Sequence, residues 1–123
     1  MPSNKTARSR GNKAEALLQQ RLTDCGYETR RTHLSAFPDI VAWNDTDFLL
    51  IEVKSRTVGA NAVSKMSVIN KALSVFRRSA KDLKVVHNDA HLLCYLYISG
   101  QWIAYEKTDS GMIEVPVIGV EAT

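Results

Sequence analysis

The sequence predicts an α/β domain, a mixed β-sheet flanked by helices, and three observations carry that reading. Two segments with helical apolar spacing, near 12–24 and 61–83, are set among runs rich in β-branched and aromatic residues. The runs at 27–33, 39–43 and 48–53 follow one another through short connections, as in an antiparallel meander. The long helical segment then separates 48–53 from the strand run 91–98, which is the layout of a β-α-β crossover, so those two strands should be parallel.

The elements follow in order. Residues 1–10 carry Lys5, Arg8 and Arg10 with almost nothing to bury, and are expected to form a flexible basic tail. Residues 11–123 are expected to form one domain, with no internal repeat and no linker. In the first helix Ala14, Leu17, Leu18, Leu22 and Cys25 fall at helical spacing, with Asn12 as the expected N-cap and Gly26 as the stop. Glu15 lies three residues before Leu18 and seven before Leu22, so it borders the inward stripe. "YETRRTH" reads as a polar strand near an edge or facing a groove, and "DIVAW" and "FLLIEV" as strands joined by the turn cluster "NDTD". Met66, Ile69, Leu73, Phe76, Ala80 and Leu83 form the apolar stripe of the long helix. "HLLCYLYI" is nearly all apolar, as expected of a strand covered on both faces. "QWIAYE" and "GMIEVPVI" add strand candidates, and Pro116 confines the last to an edge or a bulge.

Composition narrows the class. At 45% hydrophobic and 24% charged, the chain reads as an ordinary soluble globular protein, and no apolar run approaches the roughly 18 residues of a membrane span. "MPSNKTARSRGNK" has no apolar core, so no secretory signal is expected. Cys25 and Cys94 sit in apolar patterns without zinc-site spacing and are expected to be buried thiols, which suits a reducing cytoplasm. The net charge of +3 points mildly to an anionic partner.

The chemistry concentrates in "FPDIVAWNDTDFLLIEVKSR", where Asp39, Glu52 and Lys54 interrupt two apolar runs. A hairpin closed by Asn44–Asp47 pairs residues whose numbers sum to 91, which sets Asp39 opposite Glu52. Opposite Cβ atoms on one face are about 4.5–5.5 Å apart, and Lys54, two residues on, shares that face. Facing carboxylates repel, and a divalent cation removes the conflict. Mg²⁺ accepts one or two carboxylates, keeps several waters, and makes a water acidic enough to attack phosphorus. Lys54 is then placed to orient or deprotonate that water, or to stabilise phosphoryl oxygens. The Val53 carbonyl is a candidate third ligand. The competing reading is a solvated strand face, since E-x-K is a common tripeptide. Pro-Asp before a strand, the register and the apolar flanks together favour the metal site.

With these residues, "PD" at 38–39 and "EVK" at 52–54, the chain resembles the PD-(D/E)xK nuclease superfamily, and within it the archaeal-type Holliday junction resolvases. A helix with Glu15, a strand, a loop with Ser35 in "THLSAF", and the P-D-I and E-x-K strands stand in that branch's order. The resemblance implies the α-β-β-β-α-β core of a restriction-endonuclease-like fold and a single nuclease domain. It implies that Asp39 and Glu52 ligate Mg²⁺ or Mn²⁺, that Lys54 serves the attacking water, that Glu15 completes the metal site through water, and that Ser35 touches the scissile strand. It also implies a homodimer, because a four-way junction presents two symmetric strands to cut.

Arg30 and Arg31 read equally as phosphate contacts or as solvated edge charges. Arg10, Lys13 and Arg56, with Lys5 and Arg8, join Lys71, Arg77, Arg78, Lys81 and Lys84 of the long helix in a basic surface that either tracks phosphates or is merely solvated. His33 reads as surface, His87 and His91 have no partner spacing, and Trp43 and Trp102 read as packing residues. Three functional readings result. The first is a metal-dependent, structure-selective DNA endonuclease of the resolvase type, acting in the cytoplasm. The others are a nuclease-fold nucleic-acid-binding module that does not cut, and a small flap or duplex nuclease of a mobile element or repair system.

Overall fold

A computed structural model describes residues 3–32, 37–56, 62–82 and 90–119 of the chain. Its elements are α1 (Ser3–Asp24), β1 (Glu28–Arg31), β2 (Ile40–Trp43), β3 (Phe48–Arg56), α2 (Ala62–Asp82), β4 (Ala90–Ile98), β5 (Gln101–Thr108) and β6 (Gly111–Val115). The six strands lie in one sheet in chain order. Every neighbouring pair is antiparallel except β3 and β4, which the α2 crossover makes parallel. This is the mixed α/β sheet that the order of elements predicts.

The two helices cover opposite faces. Ala14, Leu18 and Leu22 of α1 pack on Ile40, Ile51 and Tyr95, whereas Ile69, Phe76 and Ala80 of α2 pack on Leu50, Cys94 and Leu96. Alternate residues of β3 therefore serve different cores, Leu49, Ile51 and Val53 on the α1 side and Leu50 on the α2 side. Glu52 and Lys54 continue the second set along the strand. The central position of β3 and β4 explains their continuous apolar runs. β6 ends at Val115, immediately before Pro116, which has no N–H to offer a ladder.

Three local expectations are corrected. Helix α1 starts at Ser3, not at Asn12. Its first turns hold good helix formers such as Lys5, Ala7, Arg8 and Arg10 but no apolar stripe, so periodicity is silent there. Cys25 is exposed, in the turn after α1, where its N–H donates to the carbonyls of Arg21 and Leu22. Met66 is 55% exposed, because the buried line of α2 runs through Ile69, Ala72, Phe76 and Ala80 and begins after it. Gly26 does end α1, with φ of 93°.

Candidate active site

The β2–β3 hairpin sets the site. Asn44 closes its turn: the Oδ1 atom accepts from the Thr46 and Asp47 backbone N–H groups at 2.9 and 2.7 Å, and its own N–H donates to the Asp47 carbonyl at 3.0 Å. The register that follows pairs Ile40 with Ile51 and Trp43 with Phe48, so numbers sum to 91 as the symmetric turn requires. Asp39, just before β2, therefore faces Glu52.

Asp39 is fixed by its backbone and by one carboxylate oxygen. Its N–H donates to the Ile51 carbonyl at 2.8 Å, its carbonyl accepts from the Thr32 N–H at 3.0 Å, and Oδ2 accepts from the Val53 N–H at 2.8 Å. The Thr32 hydroxyl donates to the Pro38 carbonyl, tying the end of β1 to the Pro-Asp corner. Phe37 is buried edge-to-face on Phe76 of α2, with ring centroids 5.2 Å apart, so the corner is also anchored to the second core. Thr32 and Phe76 hold the site without carrying chemistry. Neither stands out in the sequence beyond a threonine at a strand end and an aromatic in a helical stripe.

Glu52 is 5% exposed, the one buried charged side chain among the described residues. Its carboxyl is pushed up to about 8, by burial first and then by the hydrogen bond and negative charge of Asp39. The Lys54 ammonium pulls it down, and the Glu15 carboxylate adds a smaller upward push. Glu52 thus keeps its proton beside a second carboxylate, since ionising it there costs free energy. Cys94, the β4 partner of Glu52, is buried, and burial followed by the Glu52 charge pushes its thiol up to about 12. It stays a neutral thiol beside the pair and is no nucleophile.

The other expected residues fall at different distances from this centre. Glu15 lies on α1 and feels Glu52 electrostatically, but its Oε1 accepts from Arg31 Nε at 3.1 Å in an ion pair. Arg31 also donates to Asn12 Oδ1 at 3.0 Å, so it ties β1 to α1. Val53 meets Asp39 through its N–H. Lys13 and Arg56 line a cavity of about 180 Å³ with Ser55 and Tyr97, which joins two residues far apart in the sequence. Arg30 is exposed on β1, and Arg10 falls within the backbone of α1. Ser35 and His33 lie outside the described residues. No group of three or more His, Cys, Asp or Glu side chains among the described residues is arranged to hold a metal ion. No helix among them is long and apolar enough to cross a membrane.

No family model matches the chain, and no curated protein matches it. Among solved structures it is similar to that of Hjc from Archaeoglobus fulgidus, a Holliday junction resolvase from an archaeal hyperthermophile. The identity is 24%, 85% of this chain and 82% of that chain are covered, and the TM-score is 0.48.

Proposed function

We propose that the chain is a divalent-metal-dependent endodeoxyribonuclease that hydrolyses phosphodiester bonds in branched DNA, in the manner of a junction resolvase. The observation that carries the reading is the Asp39–Glu52 pair. Two carboxylates are held face to face, one of them nearly sealed from solvent, with Lys54 next on the same strand face. As a structural feature the pair is unfavourable, since burying like charges costs free energy unless something compensates. The donor set suits Mg²⁺ or Mn²⁺: two hard carboxylate oxygens, with the Val53 carbonyl as a third candidate and remaining positions left for water.

When bound, such an ion supplies a more acidic water and stabilises charge developing on the phosphoryl oxygens. The chain's own residues do the rest. Asp39 is held in fixed geometry by three hydrogen bonds, two through its backbone and one through Oδ2. Lys54 favours the ionised form of Glu52 and orients the attacking water or neutralises the phosphoryl oxygens. Glu15 reaches the site through water only if Arg31 releases it. Lys13, Arg30, Arg56 and Arg10 are assigned to the DNA backbone, and Ser35 to the scissile strand. Residues 11–123 act as the nuclease domain, two copies serve the two strands of a junction, and the site of action is where DNA lies, in the cytoplasm.

A second reading has one observation in its favour. The Glu15–Arg31 ion pair takes the third carboxylate out of the centre, which suits a nucleic-acid-binding module that does not cut. The deciding experiment incubates end-labelled four-way junction, flap, linear duplex and single strand with the protein in Mg²⁺, Mn²⁺ or EDTA. The expected result is paired cuts in the junction that vanish in EDTA. Asp39→Asn should abolish cutting while junction affinity in EDTA stays within about twofold, and Lys54→Ala should slow cutting by roughly 10²- to 10⁴-fold. Cutting by Asp39→Asn at the normal rate removes the nuclease assignment. Equal cutting of flap and duplex keeps the active site and replaces the resolvase with a small repair or mobile-element nuclease.

A further inference from the structure

We infer that Lys54, Arg56 and Lys71 form a phosphate subsite beside the Asp39–Glu52 pair, which takes an internal phosphodiester neighbouring the one under attack. The inference rests on the reading of nucleic acid as substrate. A cavity of about 250 Å³ opens between the carboxyl end of β3 and α2, lined by Lys54, Arg56, Val68, Lys71, Ala72 and Val75. The four α2 residues are spaced i, i+3, i+4, i+7, so one face of the helix turns towards the strand end. Lys71 thereby leaves the solvated helix charges and joins two cations of β3.

The chemistry of the lining selects the ligand. Three cations and no carboxylate face the cavity, and none of the three is in an ion pair with a described residue. Arg56 donates to the Ser55 carbonyl at 2.8 Å, which leaves most of its guanidinium donors for other acceptors. Like charges converging on a partly enclosed space repel, and an anion relieves them as a cation relieves Asp39 and Glu52. The remaining wall is Val68, Ala72 and Val75, whose side chains have no hydrogen-bonding group to read a base edge. The cavity therefore fits a phosphate with its water and offers nothing for sequence readout. Lys54 belongs to both places, lining the cavity and acting electrostatically on Glu52. A strand that puts one phosphate at the carboxylate pair thus puts a neighbouring phosphate within reach of Lys71.

The test measures binding first, by fluorescence anisotropy of labelled junction and duplex with the full chain in EDTA. Lys71→Ala should weaken affinity roughly three- to tenfold. It should also make the plot of log affinity against log salt shallower by about 0.9, while Lys71→Arg keeps both. In cleavage assays Lys71→Ala should raise KM with kcat within about twofold. Single methylphosphonates, which remove one phosphate charge, are then placed along the strand. At one internal position the loss should be at least that of Lys71→Ala, because Lys54 and Arg56 lose the same phosphate, and Lys71→Ala should add nothing further there. Full additivity at every position, or unchanged affinity of Lys71→Ala, overturns the subsite. So does a Lys71 effect that appears only when a nicked substrate carries a terminal 5′-phosphate in place of a hydroxyl. Because the binding arm runs without metal, absent cleavage with intact coupling removes only the nuclease reading, and cleavage without coupling removes only the subsite.

Discussion

Glu52 sits on a strand with neighbours on both sides and holds its proton well above the range of a free carboxylate, from 4.5 to about 8, through burial and then Asp39. That shift fixes the sign of a pH dependence. Between about 4.5 and about 8 the folded, metal-free chain keeps a proton that the unfolded chain has already lost. The folded state binds more protons there, so stability falls as pH rises. The contribution is fully present below about 4.5 and is gone once pH passes about 8. Urea titrations in EDTA across that window should show wild-type stability falling, relative to Glu52→Gln, by on the order of a few kcal/mol. Glutamine copies the protonated carboxyl and removes the titration, so the difference between the two curves isolates Glu52. A flat difference means that Glu52 does not hold its proton through that window.

At the scale of elements, the hairpin and helix α2 position the site together, and they differ in how much the sequence reveals. The Asp39–Glu52 juxtaposition is legible because a symmetric turn leaves one register, and because Asn44 supplies the acceptor that fixes the turn. The parallel β3–β4 pair is legible because one helix separates the two runs and few other connections are possible. Contacts between elements distant in sequence carry no such local signal. Nothing in "RRT" says that Arg31 will take Glu15 of α1, or that Thr32 will hold the Pro-Asp corner. The early start of α1 is invisible for another reason, since its first turns are polar and helix stripes are read only from apolar residues. Phe76 shows what α2 contributes. Its side chain is fully buried and meets Phe37 two residues before Asp39. Phe76→Ala should cost about 3–5 kcal/mol in urea unfolding. It should also lower cleavage at temperatures where the variant is still folded, because the Pro-Asp corner loses its wall. Phe76→Leu, which restores most of the volume, should recover the larger part of both.

For the whole molecule, the net charge of +3 understates the asymmetry that matters. The carboxyl ends of β3 and β4 carry the cations: Lys54, Arg56 and Lys71 line one cavity, and Lys13 and Arg56 another on the opposite face of the sheet. The other end of the same strands carries acids. Asp45 and Asp47 sit in the β2–β3 turn, and Asp47 and Glu106 line a cavity with His91, which pairs with Glu106 at 2.8 Å. A polyanion is therefore drawn to the basic end and repelled from the turn, and Arg56, shared by both cavities, lies at the centre of the attraction. Binding of junction or duplex should weaken steeply with salt, and Arg56→Ala should reduce the slope by about 0.9. Replacing Asp45 with asparagine, a change of the same size in net charge at the far end, should move affinity by less than about twofold at 0.15 M salt, where screening acts over about 8 Å. Equal and opposite effects of the two substitutions would mean that only total charge counts. A larger effect at Asp45 would put the nucleic acid on the hairpin turn, away from Lys54 and the carboxylate pair.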